Sequence, residues 1–124
     1  MRILVMGLPG SGKTTMAKRL ADEYGLFHIN ADVVRAMYND WDFSDEGRIR
    51  QAHRINEIST PNCVMDFVAA LPSQREIVNP DITIWMNTIK AGRFADTNRA
   101  FIPPLKADYT ITEFGQVIKL GEIA

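Results

Sequence analysis

The chain has 124 residues and a formal net charge of -1, with 46% hydrophobic and 23% charged residues. This composition is that of one ordinary globular domain, and the near-neutral charge argues against a general attraction to nucleic acid. No apolar run approaches membrane-spanning length, no signal peptide is apparent, and the single Cys63 cannot form an internal disulfide. We therefore expect a cytoplasmic protein that does not associate with membranes.

The first predicted element is a buried strand over the apolar residues 2–6. It leads into Gly7-Leu8-Pro9-Gly10-Ser11-Gly12-Lys13-Thr14, which matches the phosphate-binding pattern G-x-x-x-x-G-K-[ST]. Helical spacing then predicts a helix over 13–24. Because such a turn directs backbone N–H groups and the helix dipole at one point, we expect the loop from Gly7 to Thr15 to bind ATP. Lys13 would contact the terminal phosphates, and the Thr14 hydroxyl would bind Mg²⁺.

The rest of the chain alternates predicted strands and helices. We predict strands near 27–29 and over 62–69, 82–86 and 108–112, helices near 31–38, 45–58 and 73–79, and an irregular segment over 88–105. This alternation predicts a three-layer αβα fold around a mainly parallel five-stranded sheet. We expect residues 1–124 to form a single domain, with its ligand beyond the carboxyl ends of the strands.

A polar pair, Asp32 and Arg35, follows the second predicted strand. A carboxylate at this place can deprotonate an acceptor hydroxyl or hold Mg²⁺. An arginine one helical turn later can bind an anionic acceptor. The alternative is structural, with Asp32 at the helix N-terminus in an i,i+3 ion pair with Arg35.

A group of arginines follows a loop that contains aromatic residues. Arg48, Arg50 and Arg54 lie within two predicted turns of helix, and Phe43 precedes them. An aromatic ring can stack on a purine while an arginine binds its phosphate, so Phe43 and one of these arginines are candidate acceptor residues. The alternative is an ordinary solvated surface.

Three motifs in this order resemble the adenylylsulfate (APS) kinase family. They are the phosphate loop, the pair Asp32-x-x-Arg35, and Phe43-Ser44-x-x-x-Arg48. The resemblance implies transfer of the γ-phosphoryl group of ATP to the 3′-hydroxyl of adenosine 5′-phosphosulfate (APS), giving PAPS and ADP. The resemblance is good over the first half of the chain and weak afterwards. In its small size the chain resembles the compact kinases encoded by bacteriophages.

The resemblance also implies a role for each matching residue. The acceptor-site positions correspond to Asp32, Arg35, Phe43, Arg48, Gln51, Val68 and Ala69. Asp32 would be the catalytic carboxylate, and Arg35 and Arg48 would bind the phosphosulfate. Phe43 would stack on the adenine. The chain departs from the family at Ala69, where the family has a serine, and at Gly47, where the family has an acidic residue.

Asp66 is an unexpected carboxylate within an apolar strand. Because an unpaired buried carboxylate is costly, Asp66 lies either near the phosphates or against backbone N–H groups that hold it. We favour the phosphates, which makes Thr14, Asp32 and Asp66 the candidate Mg²⁺ ligands. The family carries a helical lid where this chain has only the short segment 88–105. Arg93 or Arg99 would supply transition-state charge if this segment folds over the phosphates, and we take Arg93 as the catalytic candidate. The alternatives are a simple surface loop and a homodimer in which the second subunit covers the site.

Two other functions stay open at this stage. The chain could be a kinase for another small acceptor, such as a nucleoside, a nucleotide or a modified DNA base, or an ATP-binding module that has lost catalysis with its lid. We expect His28 and Trp41 to be structural. Residues 96–98 are equally compatible with a contact to the ATP base or ribose and with none.

Overall fold

A computed structural model describes residues 1–120 of the chain, so the last four residues of the predicted domain lie outside the described residues. Five strands form one parallel sheet. They are β1 (Arg2–Met6), β2 (Phe27–Asn30), β3 (Cys63–Asp66), β4 (Ile82–Met86) and β5 (Tyr109–Ile111). Their order across the sheet is β2-β3-β1-β4-β5. The predicted parallel five-stranded sheet is confirmed.

Helices lie between the strands along the chain. They are α1 (Lys13–Tyr24), α2 (Ala31–Tyr38), α3 (Asp45–Ile58), α4 (Pro72–Val78) and α5 (Ala95–Ala100). Within residues 1–120, none of these helices combines the length and the apolar character that a bilayer-spanning helix needs.

Both faces of the sheet are covered, because side chains of β1 alternate between two cores. Ile3 and Val5 pack with α1 residues in one core, whereas Leu4 and Met6 pack with residues of α2, α3 and α4 in the other. All four side chains are fully buried. A strand that is buried on both faces reads as a continuous apolar run, which is why β1 carries no polar alternation. The predicted three-layer αβα fold is thereby confirmed.

Three strands end at the same edge of the sheet and bring polar residues together there. The register pairs Asp66 of β3 with Val5 of β1 on one side and with Asn30 of β2 on the other. The chain leaves β1 at Met6 and enters the phosphate loop directly. The loop therefore lies beside Asn30 and Asp66, at the edge where ligands of such sheets bind.

Two expectations about secondary structure were wrong. The segment 88–105 contains helix α5, whose only buried residue is Thr97, so the apolar periodicity that would indicate a helix is absent. The predicted strand 62–69 is shorter, since β3 ends at Asp66. The backbone then turns through Ala69, which has a left-handed φ of 49°.

Candidate active site

The phosphate loop is a glycine-dependent turn between β1 and α1. Gly10 and Gly12 have φ angles of 87° and 96°, in the left-handed region that favours glycine. Gly7 has no room for a side chain, because a Cβ there would lie 2.7 Å from the carbonyl oxygen of Met86. The Ser11 hydroxyl is buried without a hydrogen-bond partner among the described residues. Such a turn aims backbone N–H groups at the N-terminus of α1, which suits a polyphosphate.

Lys13 is the first residue of α1, and its ammonium group closes the loop. Its Nζ donates a hydrogen bond to the carbonyl oxygen of Leu8 at 3.1 Å. Burial lowers the pKa of Lys13, and the nearby charges of Asp66 and Asp32 partly oppose this effect. A desolvated ammonium group between carboxylates and a loop of N–H donors is well suited to bind phosphate oxygens.

Asn30 links the phosphate loop to the buried carboxylate of Asp66. Its Nδ2 donates to Asp66 Oδ2 at 3.0 Å and lies 3.5 Å from Thr14 Oγ1. His28 Nε2 lies 3.1 Å from the same Asp66 oxygen. His28, which we expect from the sequence to be structural, thus contacts a residue of the site but does not itself line the cleft described below. The contacts of Asn30 and His28 with Asp66 both use its Oδ2 oxygen.

The same Asn30 side chain starts α2 and so sets the position of Asp32. Its Oδ1 accepts hydrogen bonds from the backbone N–H groups of Asp32 and Val33, at 3.0 and 3.2 Å. This is an N-cap that the sequence analysis missed, although Asn is a preferred N-cap residue. Asp32 is exposed and lines the cleft described below. The alternative of an Asp32–Arg35 ion pair is not seen among the described residues.

Arg35 lies on the next turn of α2 and is 5% exposed. Its Nη1 donates to the carbonyl oxygens of Asp40 and Asp42, at 2.9 and 3.2 Å. Its guanidinium carbon lies 4.2 Å from the ring centroid of Phe43. Arg35 therefore holds the loop that carries Phe43, and the ring shields one guanidinium surface from water.

Arg48 approaches the same loop from α3 and is 3% exposed. Its Nε donates to the carbonyl oxygen of Phe43 at 2.9 Å, and its guanidinium carbon lies 5.5 Å from the Phe43 ring centroid. The first turn of α3 requires Gly47, since a Cβ there would lie 2.1 Å from the carbonyl oxygen of Asp42. This contact explains a glycine where the resembling family has an acidic residue.

Arg35 and Arg48 are buried cations without a carboxylate partner. Among the described residues, no salt bridge involves either one. Burial lowers the pKa of both guanidinium groups, and the charges of Asp40 and Asp96 oppose this only in part. A buried cation is costly unless an anion compensates it, so the pair brings positive charge to the cleft that a bound anion would compensate.

The outer arginines of α3 behave differently. Arg50 Nε and Arg54 Nη1 both bind Asp40 Oδ2, at 2.7 and 2.6 Å. Arg50 Nη2 also binds Asp42 Oδ2 at 3.1 Å. These carboxylates neutralise the two outer arginines, so only Arg48 of the predicted group faces the cleft. The sequence could not separate the three, because the partners lie in the preceding loop.

One cleft of about 640 Å³ joins the phosphate loop to the two buried arginines. Its walls include every predicted acceptor residue, namely Asp32, Arg35, Phe43, Arg48, Gln51, Val68 and Ala69. They also include Lys13, Thr14, Asp66 and Arg93, together with Pro9 and Gly10 of the phosphate loop. The remaining predicted ATP-binding residues, Gly7, Leu8, Ser11, Gly12 and Thr15, do not line this cleft.

Two further side chains support the walls of the cleft, although only Gln51 lines it. Gln51 Nε2 donates to the carbonyl oxygen of Ala31, while its Oε1 is buried without a partner among the described residues. Arg75 donates to the carbonyl oxygens of Ala69, Ala70 and Ile102. It fixes the strained turn after β3 and is structural.

The sequence analysis gave no role to Asn30 and Gln74, which also line the cleft. Trp41, which it took as structural, and Thr97, for which it left a contact with ATP open, line the cleft as well. Only Asn30 carried a usable signal, since it stands directly before a predicted helix. Gln74 and Thr97 reach the cleft from α4 and α5 through long-range contacts that no local pattern indicates.

The order of the strands and the glycine loop before α1 define a P-loop protein of the kinase fold. The family model described as "AAA domain" matches residues 3–100, and the chain belongs to this family. Two curated relatives are an adenylate kinase of Pyrococcus horikoshii, 51% identical over 37 residues, and a cytidylate kinase of Methanopyrus kandleri, 66% identical over 32 residues. These matches cover 29% and 26% of this chain, and 17% of each relative's length.

Solved structures match most of the chain at low identity. APE1195 is 24% identical with a TM-score of 0.69, covering 90% of this chain and 83% of the other. A Mycobacterium tuberculosis APS kinase in complex with AMPPNP and APS is 18% identical with a TM-score of 0.68, covering 93% and 89%. A shikimate kinase of Aquifex aeolicus is 16% identical with a TM-score of 0.67, covering 90% and 86%. These similarities establish the fold.

Proposed function

We propose that this protein is a kinase that transfers the γ-phosphoryl group of ATP to the 3′-hydroxyl of adenosine 5′-phosphosulfate, giving PAPS and ADP. The observation that carries the proposal is the pair of buried arginines, Arg35 and Arg48, which share a cleft with the phosphate loop and have no carboxylate partner. An acceptor with anionic groups would compensate them. The half-exposed ring of Phe43 beside them suits a purine.

The chemistry follows from positioning and charge. The phosphate loop and Lys13 would hold the polyphosphate, and Lys13 would neutralise charge that accumulates on the transferring group. Asp32 lines the same cleft as the loop and the two arginines, and there it would orient the acceptor hydroxyl and accept its proton. Holding both reactants in one cleft supplies much of the acceleration of such a transfer.

The residues at the phosphate end fit a magnesium ion. Thr14 offers a hydroxyl oxygen, and Asp66 and Asp32 offer carboxylate oxygens, which are the hard ligands that Mg²⁺ prefers. Among the described residues, no group of three or more His, Cys, Asp or Glu side chains could hold a metal alone. Substrate phosphates typically complete the Mg²⁺ site of a kinase, so these residues would hold the ion together with the ATP phosphates, and the ion would neutralise part of the phosphate charge. Asn30 would keep Asp66 and Thr14 in place.

The main alternative is a kinase that acts on another small acceptor, since kinases with different acceptors share this fold. The shikimate kinase and the APS kinase resemble this chain equally well, with TM-scores of 0.67 and 0.68. The two acceptors differ in the feature that Phe43 would recognise, because shikimate has no purine ring.

The direct test is a coupled assay of ADP release with Mg²⁺-ATP, with and without APS. We expect APS to stimulate ADP release strongly, and the Lys13→Ala variant to show no stimulation. If shikimate, a nucleoside or a nucleotide stimulates ADP release and APS does not, the protein is a kinase with that compound as its acceptor, and APS is wrong. ATP binding without transfer to any acceptor would indicate a binding module and contradict the proposal.

A further inference from the structure

The segment 92–98 contacts both ends of the cleft. At one end, Gly92 packs against the phosphate loop so closely that a Cβ there would lie 3.0 Å from the carbonyl oxygen of Pro9. At the other end, Thr97 of α5 accepts a hydrogen bond at its Oγ1 from Arg48 Nη2 at 3.1 Å. The segment thus joins the ATP side to the acceptor side.

The segment is closed on itself by one side chain. Asn98 Oδ1 accepts from the Gly92 backbone N–H at 2.8 Å, and Asn98 Nδ2 donates to the Gly92 carbonyl oxygen at 2.9 Å. This reciprocal pair fixes the distance between Gly92 and α5. Of residues 96–98, Thr97 thus contacts Arg48 and Asn98 closes its own loop.

Thr97 is an unusual residue for a short surface helix. It is 4% exposed, and its partner Arg48 is 3% exposed, so water does not compete for their hydrogen bond. The carbonyl oxygen of Arg48 also accepts a hydrogen bond from Gln74 Nε2 of α4 at 2.7 Å. Arg48 is thereby anchored from α4 and α5, in addition to its bond to the Phe43 carbonyl oxygen.

These bonds leave a defined part of Arg48 for a ligand. Nε is used by Phe43 and Nη2 by Thr97, while Nη1 has no hydrogen-bond partner among residues 1–120. A guanidinium group is planar, so two fixed nitrogens also fix the direction of the third. Loss of the Thr97 bond would leave only one fixed nitrogen and would allow the plane to rotate.

We infer that Thr97 is a positioning residue for the acceptor: its hydroxyl orients Arg48 Nη1 toward the anionic group of the acceptor. This inference rests on the proposed function in that Arg48 binds the acceptor. In this role Thr97 acts through Arg48 and not through a substrate contact of its own. The segment 92–98 therefore serves acceptor specificity, in addition to any role of Arg93 in covering the phosphates.

The test compares Thr97→Val, which keeps the shape but removes the acceptor oxygen, with Thr97→Ser, which keeps the hydroxyl. We expect Thr97→Val to raise the KM for APS by roughly tenfold, as for loss of a hydrogen bond to a charged group, with the KM for ATP unchanged. Thr97→Ser should retain the wild-type KM for APS. A matched control is Arg99→Ala, an exposed residue of the same helix that does not line the cleft.

A purely structural role would give a different pattern. It would lower kcat through a smaller active fraction and leave the KM for APS unchanged. That result, or equal effects of the valine and serine variants, would overturn the inference.

A second measurement separates this inference from the proposed function. Sodium sulfate is titrated against thermal unfolding with Mg²⁺-ADP saturating the phosphate loop, because a ligand of the folded state raises Tm. If wild type does not phosphorylate APS, the proposed function fails. The inference still stands if Thr97→Val needs roughly tenfold more sulfate than wild type and Thr97→Ser does not. Absence of any sulfate effect, or of a difference between the variants, overturns it.

Discussion

The Asn30 side chain donates a hydrogen bond to the buried carboxylate of Asp66 at 3.0 Å, across the pair of strands β2 and β3. The same residue caps α2 with its Oδ1. One side chain therefore connects the carboxylate at the phosphate end of the cleft to the helix that carries Asp32 and Arg35. The relative positions of the two ends depend on this connection.

The first prediction concerns this connection. Asn30→Ala removes the N-cap and a hydrogen bond to a buried carboxylate, so we expect the free energy of unfolding to fall by about 2–4 kcal/mol. Asn30→Ser keeps a capping oxygen and should lose less. Urea unfolding of the three proteins measures both changes. Equal stability of Asn30→Ala and wild type would show that the connection does not hold the site together.

The second prediction concerns the pH dependence contributed by Lys13. Because burial lowers its pKa in the folded state, the unfolded state binds the proton more tightly. The cost of burying the charge is fully present below the folded-state pKa and disappears as the pH rises towards the ordinary value of 10.5. We expect Lys13→Met to be more stable than wild type at pH 7, with a difference that narrows as the pH approaches 10.5.

Urea unfolding over this pH range measures the effect. The control is Lys18→Met, an exposed lysine of the same helix, which should show no comparable trend. A difference between Lys13→Met and wild type that widens as the pH rises would contradict the burial of the charge.

The third prediction concerns the acid range. Hydrogen bonds to Arg50 and to the Asp42 backbone hold the pKa of Asp40 well below its ordinary value of 3.8. Its contribution to stability is therefore present above 3.8 and is lost as the pH falls toward the folded-state pKa. We expect Asp40→Asn to be less stable than wild type at neutral pH, and the two to converge in acid. Asp22→Asn on the exposed face of α1 is the control, and a gap that persists in acid would refute this explanation.

The fourth prediction concerns Arg93, which is exposed, lines the cleft and has its guanidinium carbon 5.2 Å from the ring centroid of Phe94. If it supplies charge to the transferring group, Arg93→Ala should lower kcat by about a hundredfold or more, as for loss of a donor to a transition-state charge. Arg99→Ala on α5 should leave kcat unchanged. Steady-state kinetics with ATP and APS decide, and an unchanged kcat for Arg93→Ala would remove this role.

Much of the fold could be predicted from the sequence because its signals are local. The glycine loop lies between an apolar run and a helical pattern, and these three features fix β1 and α1. The carboxyl edge of a parallel sheet then brings residues after successive strands together, which placed Asp32 and Asp66 near the loop. Helix α5 escaped prediction because its burial depends on one polar residue, Thr97.

Residues of the candidate site could be predicted from the sequence only where a local motif specifies them. Lys13 and Thr14 follow from a motif, whereas the difference between Arg48 and Arg50 depends on which side chain finds Asp40. That distinction arises from the path of the loop 39–44, which contacts at Gly47 and Arg35 impose. Likewise, the pairing of His28 with Asp66 becomes visible only when β2 and β3 are in register.

The central claim is that two anionic substrates bind side by side in one cleft. The measurement that tests it most directly is a crystal structure with Mg²⁺-ADP and APS. We predict ADP phosphates in the loop from Gly7 to Thr15, the phosphosulfate against Arg35 and Arg48, and the ribose 3′-hydroxyl beside Asp32. APS bound outside this cleft, or no bound APS beside a well-ordered ADP, would contradict the claim.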